Sequence, residues 1–210
     1  MIQKEDRDYL SHLVDETAEL RNSVQYREIS SEDVAVSYLS PVRRPFIGYF
    51  QGPFEMLKRE RYRMKERRKR NAGCSNFLKV SRSNSGELLE IASYKKGCLD
   101  CIHQSVMNNN RLFLFPFAAS GCPYPAYSYV TVYDGTGIVE DYAVSGSQIL
   151  YGSYAVHAGE KMYDYYYINF VKNGSIPVLE EMSGVITTDP LSYTETFHDY
   201  WVNRSFGAFR

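Results

Sequence analysis

Tyr127-Ser128-Tyr129-Val130-Thr131-Val132-Tyr133 alternates without a break. Successive side chains of an extended chain point to opposite sides, so Tyr127, Tyr129, Thr131 and Tyr133 share one face and Ser128, Val130 and Val132 the other. β-branched and aromatic residues fit a pleated, half-buried surface. The stretch therefore predicts a strand. Segment 162–170 repeats the pattern, with Tyr163, Tyr165 and Tyr167 on a face opposite Met162, Tyr166, Ile168 and Phe170. Two such tyrosine rows are expected to stack across neighbouring strands.

Turn chemistry separates short β-branched and aromatic runs throughout residues 74–210. The turns are Asn84-Ser85-Gly86, Lys95-Lys96-Gly97, Asn108-Asn109-Asn110, Asp134-Gly135-Thr136-Gly137, Ser145-Gly146, His157-Ala158-Gly159 and Lys172-Asn173-Gly174. This spacing is that of sequential antiparallel strands. The strand, x-Gly turn and strand pattern resembles hairpin-repeat proteins of the MORN-like or YD-repeat kind in its turns alone. The spacing between glycines wanders and no copy carries a full repeat motif, so the pattern predicts consecutive hairpins and assigns no family. Residues Asp189-Pro190 through Trp201 read as a last short helix or strand.

Toward the N-terminus the period changes. Leu10, Leu13, Val14, Thr17, Leu20 and Val24 fall three and four residues apart, and acids fill the first turn, which predicts a helix from Glu5 to Tyr26. Ser30-Ser31-Glu32-Asp33 reads as a cap for a second helix ending at Leu39, before Ser40-Pro41. Pro41–Gly52 reads as an irregular segment over the core. Gly52-Pro53 then starts a basic helix over 53–71 that stops at Asn71-Ala72-Gly73. The predicted fold is α+β. N-terminal helices in 1–73 pack on a curved, mostly antiparallel, meandering sheet of about seven to nine strands in 74–210, together one compact domain.

Composition restricts the function classes. With 210 residues, 44% hydrophobic, 23% charged and a net charge of −1, the chain belongs with ordinary globular proteins. No apolar run is long enough to cross a membrane as a helix, and the polar, acidic N-terminus lacks the order of a secretory signal, so a cytoplasmic location is expected. No G-x-S-x-G elbow, phosphate-binding G-x-x-x-x-G-K-[ST] loop or three-glycine dinucleotide fingerprint is present. Four cysteines (Cys74, Cys98, Cys101 and Cys122) are too few for a disulfide scaffold. Cys98-x-x-Cys101 followed by His103 holds soft metal ligands. Their odd spacing on a strand points the thiols to opposite faces, so buried apolar thiols are expected and no metal or cofactor. His12, His103, His157 and His198 stand in no metal spacing and read as surface or turn histidines. An enzyme has no positive support.

What remains is charge and tyrosine. Residues 58–70 carry nine Lys/Arg against Glu60 and Glu66, whereas 121–200 carry ten acids against Lys161 and Lys172. The 19 tyrosines supply large, amphipathic contact surface. The first expectation is a non-enzymatic intracellular interaction protein. Its acidic, tyrosine-rich sheet face would bind a basic protein, as an inhibitor or immunity protein does, through Tyr129, Tyr133, Asp141, Tyr163, Asp164 and Tyr165. The second is a nucleic-acid-binding protein whose Lys58, Arg59, Arg61, Arg63, Lys65, Arg67, Arg68, Lys69 and Arg70 meet phosphates.

Overall fold

The computed structural model describes residues 4–30, 34–40, 65–124, 127–133, 138–159, 162–171, 179–188, 191–198 and 203–206. Among them, one helix, α1 (Lys4–Ser23), precedes thirteen strands. These are β1 (Val34–Ser40), β2 (Lys65–Arg67), β3 (Phe77–Ser83), β4 (Leu88–Lys95), β5 (Cys98–Asn108), β6 (Arg111–Phe117) and β7 (Ser128–Tyr133), then β8 (Ile138–Ser145), β9 (Gln148–Gly159), β10 (Met162–Val171), β11 (Leu179–Thr188), β12 (Leu191–His198) and β13 (Asn203–Phe206). All belong to one antiparallel sheet, so the α+β expectation holds. From β3 to β13 each strand bonds to its neighbours in sequence, while β1 lies beside β3 and β2 forms the edge. The sheet is larger than the seven to nine strands expected in 74–210: β3–β13 lie there, and β1 and β2 join from the N-terminal region, with β1 and β3–β9 forming the body of the sheet.

The register divides the body into two apolar faces. Val106, Phe113, Val130 and Tyr142 form one cross-strand row. They join Phe115, Phe117, Val132, Val144 and Ile149 in a cluster with Leu10, Leu13 and Val14 of α1. On the opposite face Leu114, Tyr129 and Ala143 lie in register, in a cluster with Leu39, Leu78, Val80, Leu88, Ile91 and Leu112. The strict alternation of β7 thus serves two interiors, with Val130 and Val132 beneath the helix and Tyr129 in the second cluster.

The helix forms where its period predicts, and Leu10, Leu13, Val14 and Thr17 are buried. Each buried Leu or Val contributes about 1.5–3 kcal/mol. Polar contacts fix its orientation. Glu16 forms an ion pair with Arg111 and accepts a hydrogen bond from Asn108 Nδ2 at 2.7 Å. Burial disfavours the Arg111 charge, but Glu16 outweighs it and raises the guanidinium pKa. The Tyr9 hydroxyl donates to Glu140 at 2.6 Å, and burial followed by the Glu140 charge raises its pKa. At the far end Arg21 donates to the Pro116 and Tyr124 carbonyls at 2.7 and 3.0 Å.

Two predicted helices are corrected. Residues 34–40 are strand β1: Val34, Val36 and Tyr38 favour extended backbone, and the segment pairs with β3 from Val34↔Ser83 to Leu39↔Leu78. The long-range ladder overrides the local cap. The basic helix expected over 53–71 does not extend through its described end, because Lys65–Arg67 is strand β2, paired through Tyr38↔Arg67, and residues 68–73 are irregular. Residues 41–64 lie outside the described set. A strand this charged suits an edge, where cations discourage further pairing. Asn84-Ser85-Gly86, Lys95-Lys96-Gly97, Asn108-Asn109-Asn110 and Ser145-Gly146 fall at junctions between strands, whereas His157-Ala158-Gly159 ends β9; Asp134-Gly135-Thr136-Gly137 and Lys172-Asn173-Gly174 lie outside the described residues, and the predicted last segment supplies β12. Lys95↔Cys98 closes a two-residue loop in which Lys96 and Gly97 take φ of 52° and 82°, the geometry of a tight hairpin.

Candidate functional site

The densest polar chemistry lies within the second apolar face. His103, on β5, is 5% exposed; its Nδ1 faces Cys101 Sγ at 3.7 Å and its ring centroid lies 5.3 Å from that of Tyr129. Its Nε2 is buried without a hydrogen-bond partner. Burial pushes the imidazole pKa down to about 4, with the Tyr127 backbone opposing and the Arg21 charge adding to the fall. Burial and then Asp100 push the Cys101 thiol up to about 11. Both groups are neutral at neutral pH, so this pair lacks the thiolate and imidazolium that a cysteine nucleophile uses.

The surface or turn expectation is corrected for His103, which is interior. The thiol expectation is also corrected: Cys101 is buried, but Cys98 and Cys122 are exposed and Cys74 is intermediate. Their odd spacing does not part Cys98 and Cys101: a bulge at Asp100 pairs Cys101 with Ser93 and Cys98 with Lys95, two residues apart on β4, so both lie on one face and differ only in exposure. No group of three or more His, Cys, Asp or Glu that could hold a metal occurs among the described residues.

The tyrosine and acid residues expected to meet a partner occupy different environments. Tyr129 and Asp141 are each 3% exposed; Asp141 accepts a hydrogen bond from Thr131 Oγ1 at 2.8 Å. Tyr133 is partly buried against the second cluster, and burial followed by Asp141 raises its pKa. Tyr163, Asp164 and Tyr165 occupy β10, in register with His157, Val156 and Ala155 of β9. The pairs Asp141↔Ser153 and Ser153↔Tyr167 place the row of Tyr163, Tyr165 and Tyr167 on the face that carries Asp141 and Tyr129. β8 and β9 intervene, so the expected stacking of the β7 and β10 rows on neighbouring strands is corrected.

A groove of about 700 Å³ runs between the end of α1, the connection that follows it and β4–β5. Leu20, Val24, Tyr26, Ile29, Leu89 and Val106 form much of its wall. Its polar side chains on β5 are engaged within the protein. Gln104 accepts from the Arg27 N–H at 2.9 Å and donates to the Arg27 carbonyl at 2.5 Å, and the Ser105 hydroxyl donates to the Leu88 carbonyl. These bonds hold the connection as an extra strand would.

The β2 end of the sheet differs. Arg67, Arg68, Lys69 and Arg70 are exposed. The following loop bonds to the β4–β5 hairpin, with the Gly97 N–H donating to the Ser75 carbonyl at 2.7 Å and the Lys96 N–H to Asn76 Oδ1 at 2.8 Å. That contact brings exposed Lys95 and Lys96 to the same end. Register aligns Arg67, Tyr38 and Lys79 across β2, β1 and β3. Three aromatic residues lie among the cations: Phe77 stacks on Tyr94 at 4.5 Å and 10°, and Tyr38 meets Phe77 edge-on at 6.0 Å. The Arg70 guanidinium lies 5.1 Å from the Phe77 ring centroid. Glu66 and Asp100 are acids on β2 and β5.

No family model matches the chain, and neither a curated protein nor a solved structure is found to resemble it. The site is therefore argued from its own residues. Of the cations singled out in the sequence, Arg67–Arg70 lie exposed at this end; Lys65 is on β2, and Lys58, Arg59, Arg61 and Arg63 lie outside the described residues. Tyr38, Phe77 and Tyr94 were not expected in a site. Only the pairing of β1, β3 and β4 brings them together, although the alternation in Val34–Ser40 was a usable signal. No helix among the described residues is long and apolar enough to cross a membrane.

Proposed function

We propose that this chain is a non-enzymatic, intracellular interaction protein that binds the phosphate backbone of a nucleic acid through the basic end of its sheet. The observation carrying this reading is the gathering of exposed Arg67, Arg68, Lys69, Arg70, Lys95 and Lys96 at one end. Such a group neutralises phosphates and releases their counterions, whatever the base sequence. A cytoplasmic setting accords with four unpaired cysteines. In this reading the sheet is curved, since twist accumulates over many strands, and its basic end is a surface separate from β10.

The test is binding of a labelled oligonucleotide between about 50 and 200 mM salt. Affinity should fall steeply, and the triple variant Arg67→Gln, Arg68→Gln, Lys69→Gln should bind more weakly with a shallower salt slope. An affinity indifferent to salt would sink the reading.

A second reading is supported by the tyrosine row of β10 and the acidic balance of residues 121–200: Tyr163, Asp164 and Tyr165 contact a basic protein partner, in the manner of an inhibitor or immunity protein. Tyr163→Ala with Tyr165→Ala should weaken capture of that partner while the protein stays folded. Unfolding would identify both as core residues.

A further inference from the structure

We propose that the basic end of the sheet selects single-stranded over duplex nucleic acid, with bases stacking on Tyr38 and Tyr94 while the arginines hold phosphates. The inference rests on the phosphate-binding reading above and adds the class of nucleic acid. Cations alone would not discriminate, because both forms present phosphates. Aromatic rings do, because the base faces of a duplex are already stacked on one another, whereas those of a single strand are free to lie on protein side chains.

Phe77 is 3% exposed, closed in by Tyr94, Tyr38 and the Arg70 guanidinium. Tyr38 and Tyr94 remain partly exposed on either side of it. The three rings thus form a supported platform: the buried Phe77 fixes the two tyrosines, and each tyrosine keeps surface available for contact. Arg70 adds a second element. A guanidinium resting on a ring is oriented before any ligand arrives, so its edge donors can pair with a phosphate in a bidentate manner. Lysine at that position would keep the charge and lose both the planar contact and the fork.

The experiment is fluorescence anisotropy of the full chain with labelled oligothymidylate of about twenty nucleotides and with a DNA duplex of the same length, at one fixed salt concentration. Oligothymidylate should bind at least about tenfold more tightly than duplex, and Tyr94→Leu should lower its affinity about tenfold without changing the salt slope. Arg70→Lys should weaken binding although net charge is unchanged. Circular dichroism melting checks the fold of each variant, with Tyr38→Leu replacing Tyr94→Leu if the latter fails to fold. Equal affinity for strand and duplex, or an unaffected folded tyrosine variant, overturns the single-strand inference and leaves the phosphate reading standing. Failure to bind either probe overturns both.

Discussion

Replacing His103 with phenylalanine should remove a pH dependence of stability that the native protein carries. The imidazole is interior, faces Cys101 and Tyr129, and has a folded pKa of about 4 against 6.5 when free. Between these values the unfolded chain holds a proton that the folded protein excludes, so stability rises with pH over this window. The contribution is complete above pH 6.5 and is lost as pH falls through the folded pKa, about 3 kcal/mol across the window. Most of it is felt early: from pH 7.5 to 5 the native protein should lose about 2 kcal/mol to this group alone. Urea unfolding of both proteins at half-unit intervals measures it. The stability gap between His103→Phe and the native chain should shift by that amount in favour of the variant as pH falls. Phenylalanine also relieves the unpartnered Nε2, and if it packs too poorly to fold, NMR titration of the His103 ring in the native protein gives the same answer. Parallel pH profiles for the two proteins, or a ring titrating near 6.5, would refute the reasoning.

Other outcomes follow from the helix and its supports. Leu13→Ala, at a fully buried position beneath α1, should cost about 2–5 kcal/mol in urea unfolding. Glu16→Ala leaves Arg111 and Asn108 without their shared carboxylate, and about 1–3 kcal/mol of stability should be lost by the same measurement. Gly121 has φ +79° and an added Cβ would lie 3.0 Å from Tyr26 Cδ1, so Gly121→Ala should destabilise by about 1–3 kcal/mol, read as a lowered Tm. Asp141→Ala should lower stability by about 1–3 kcal/mol, because a buried acceptor for Thr131 is lost.

Much of the fold was legible because its signals are local. The three- and four-residue spacing from Leu10 to Thr17 fixes a helix whichever surface it meets, and Lys96-Gly97 closes its hairpin with chemistry held in two residues. β1 was misread because Ser30-Ser31-Glu32-Asp33 offers a credible cap, while its competing ladder depends on residues 78–83. β2 was misread because a run of lysine and arginine carries no strand propensity of its own; an edge accepts it. The site was less legible still. Alternation divides a strand into two faces but does not reveal which face another layer covers, so Tyr129 and Asp141 looked suited to a partner and proved interior. His103 stands two residues from Cys101 and shares its face, but that spacing does not say the face is covered; its burial arises from the second cluster.

The position of α1 has a consequence for synthesis on the ribosome. The helix is made before the strands it covers, which run to Val144 and Ile149. At about 5–20 residues per second, its apolar stripe has an incomplete counterpart for roughly six to twenty-five seconds. During that interval each new hairpin can close against the strand just made, but the helix can only wait. The nascent chain therefore has a predictable period of stickiness along this helix, the period in which a chaperone that holds short apolar helices would be of most use to it.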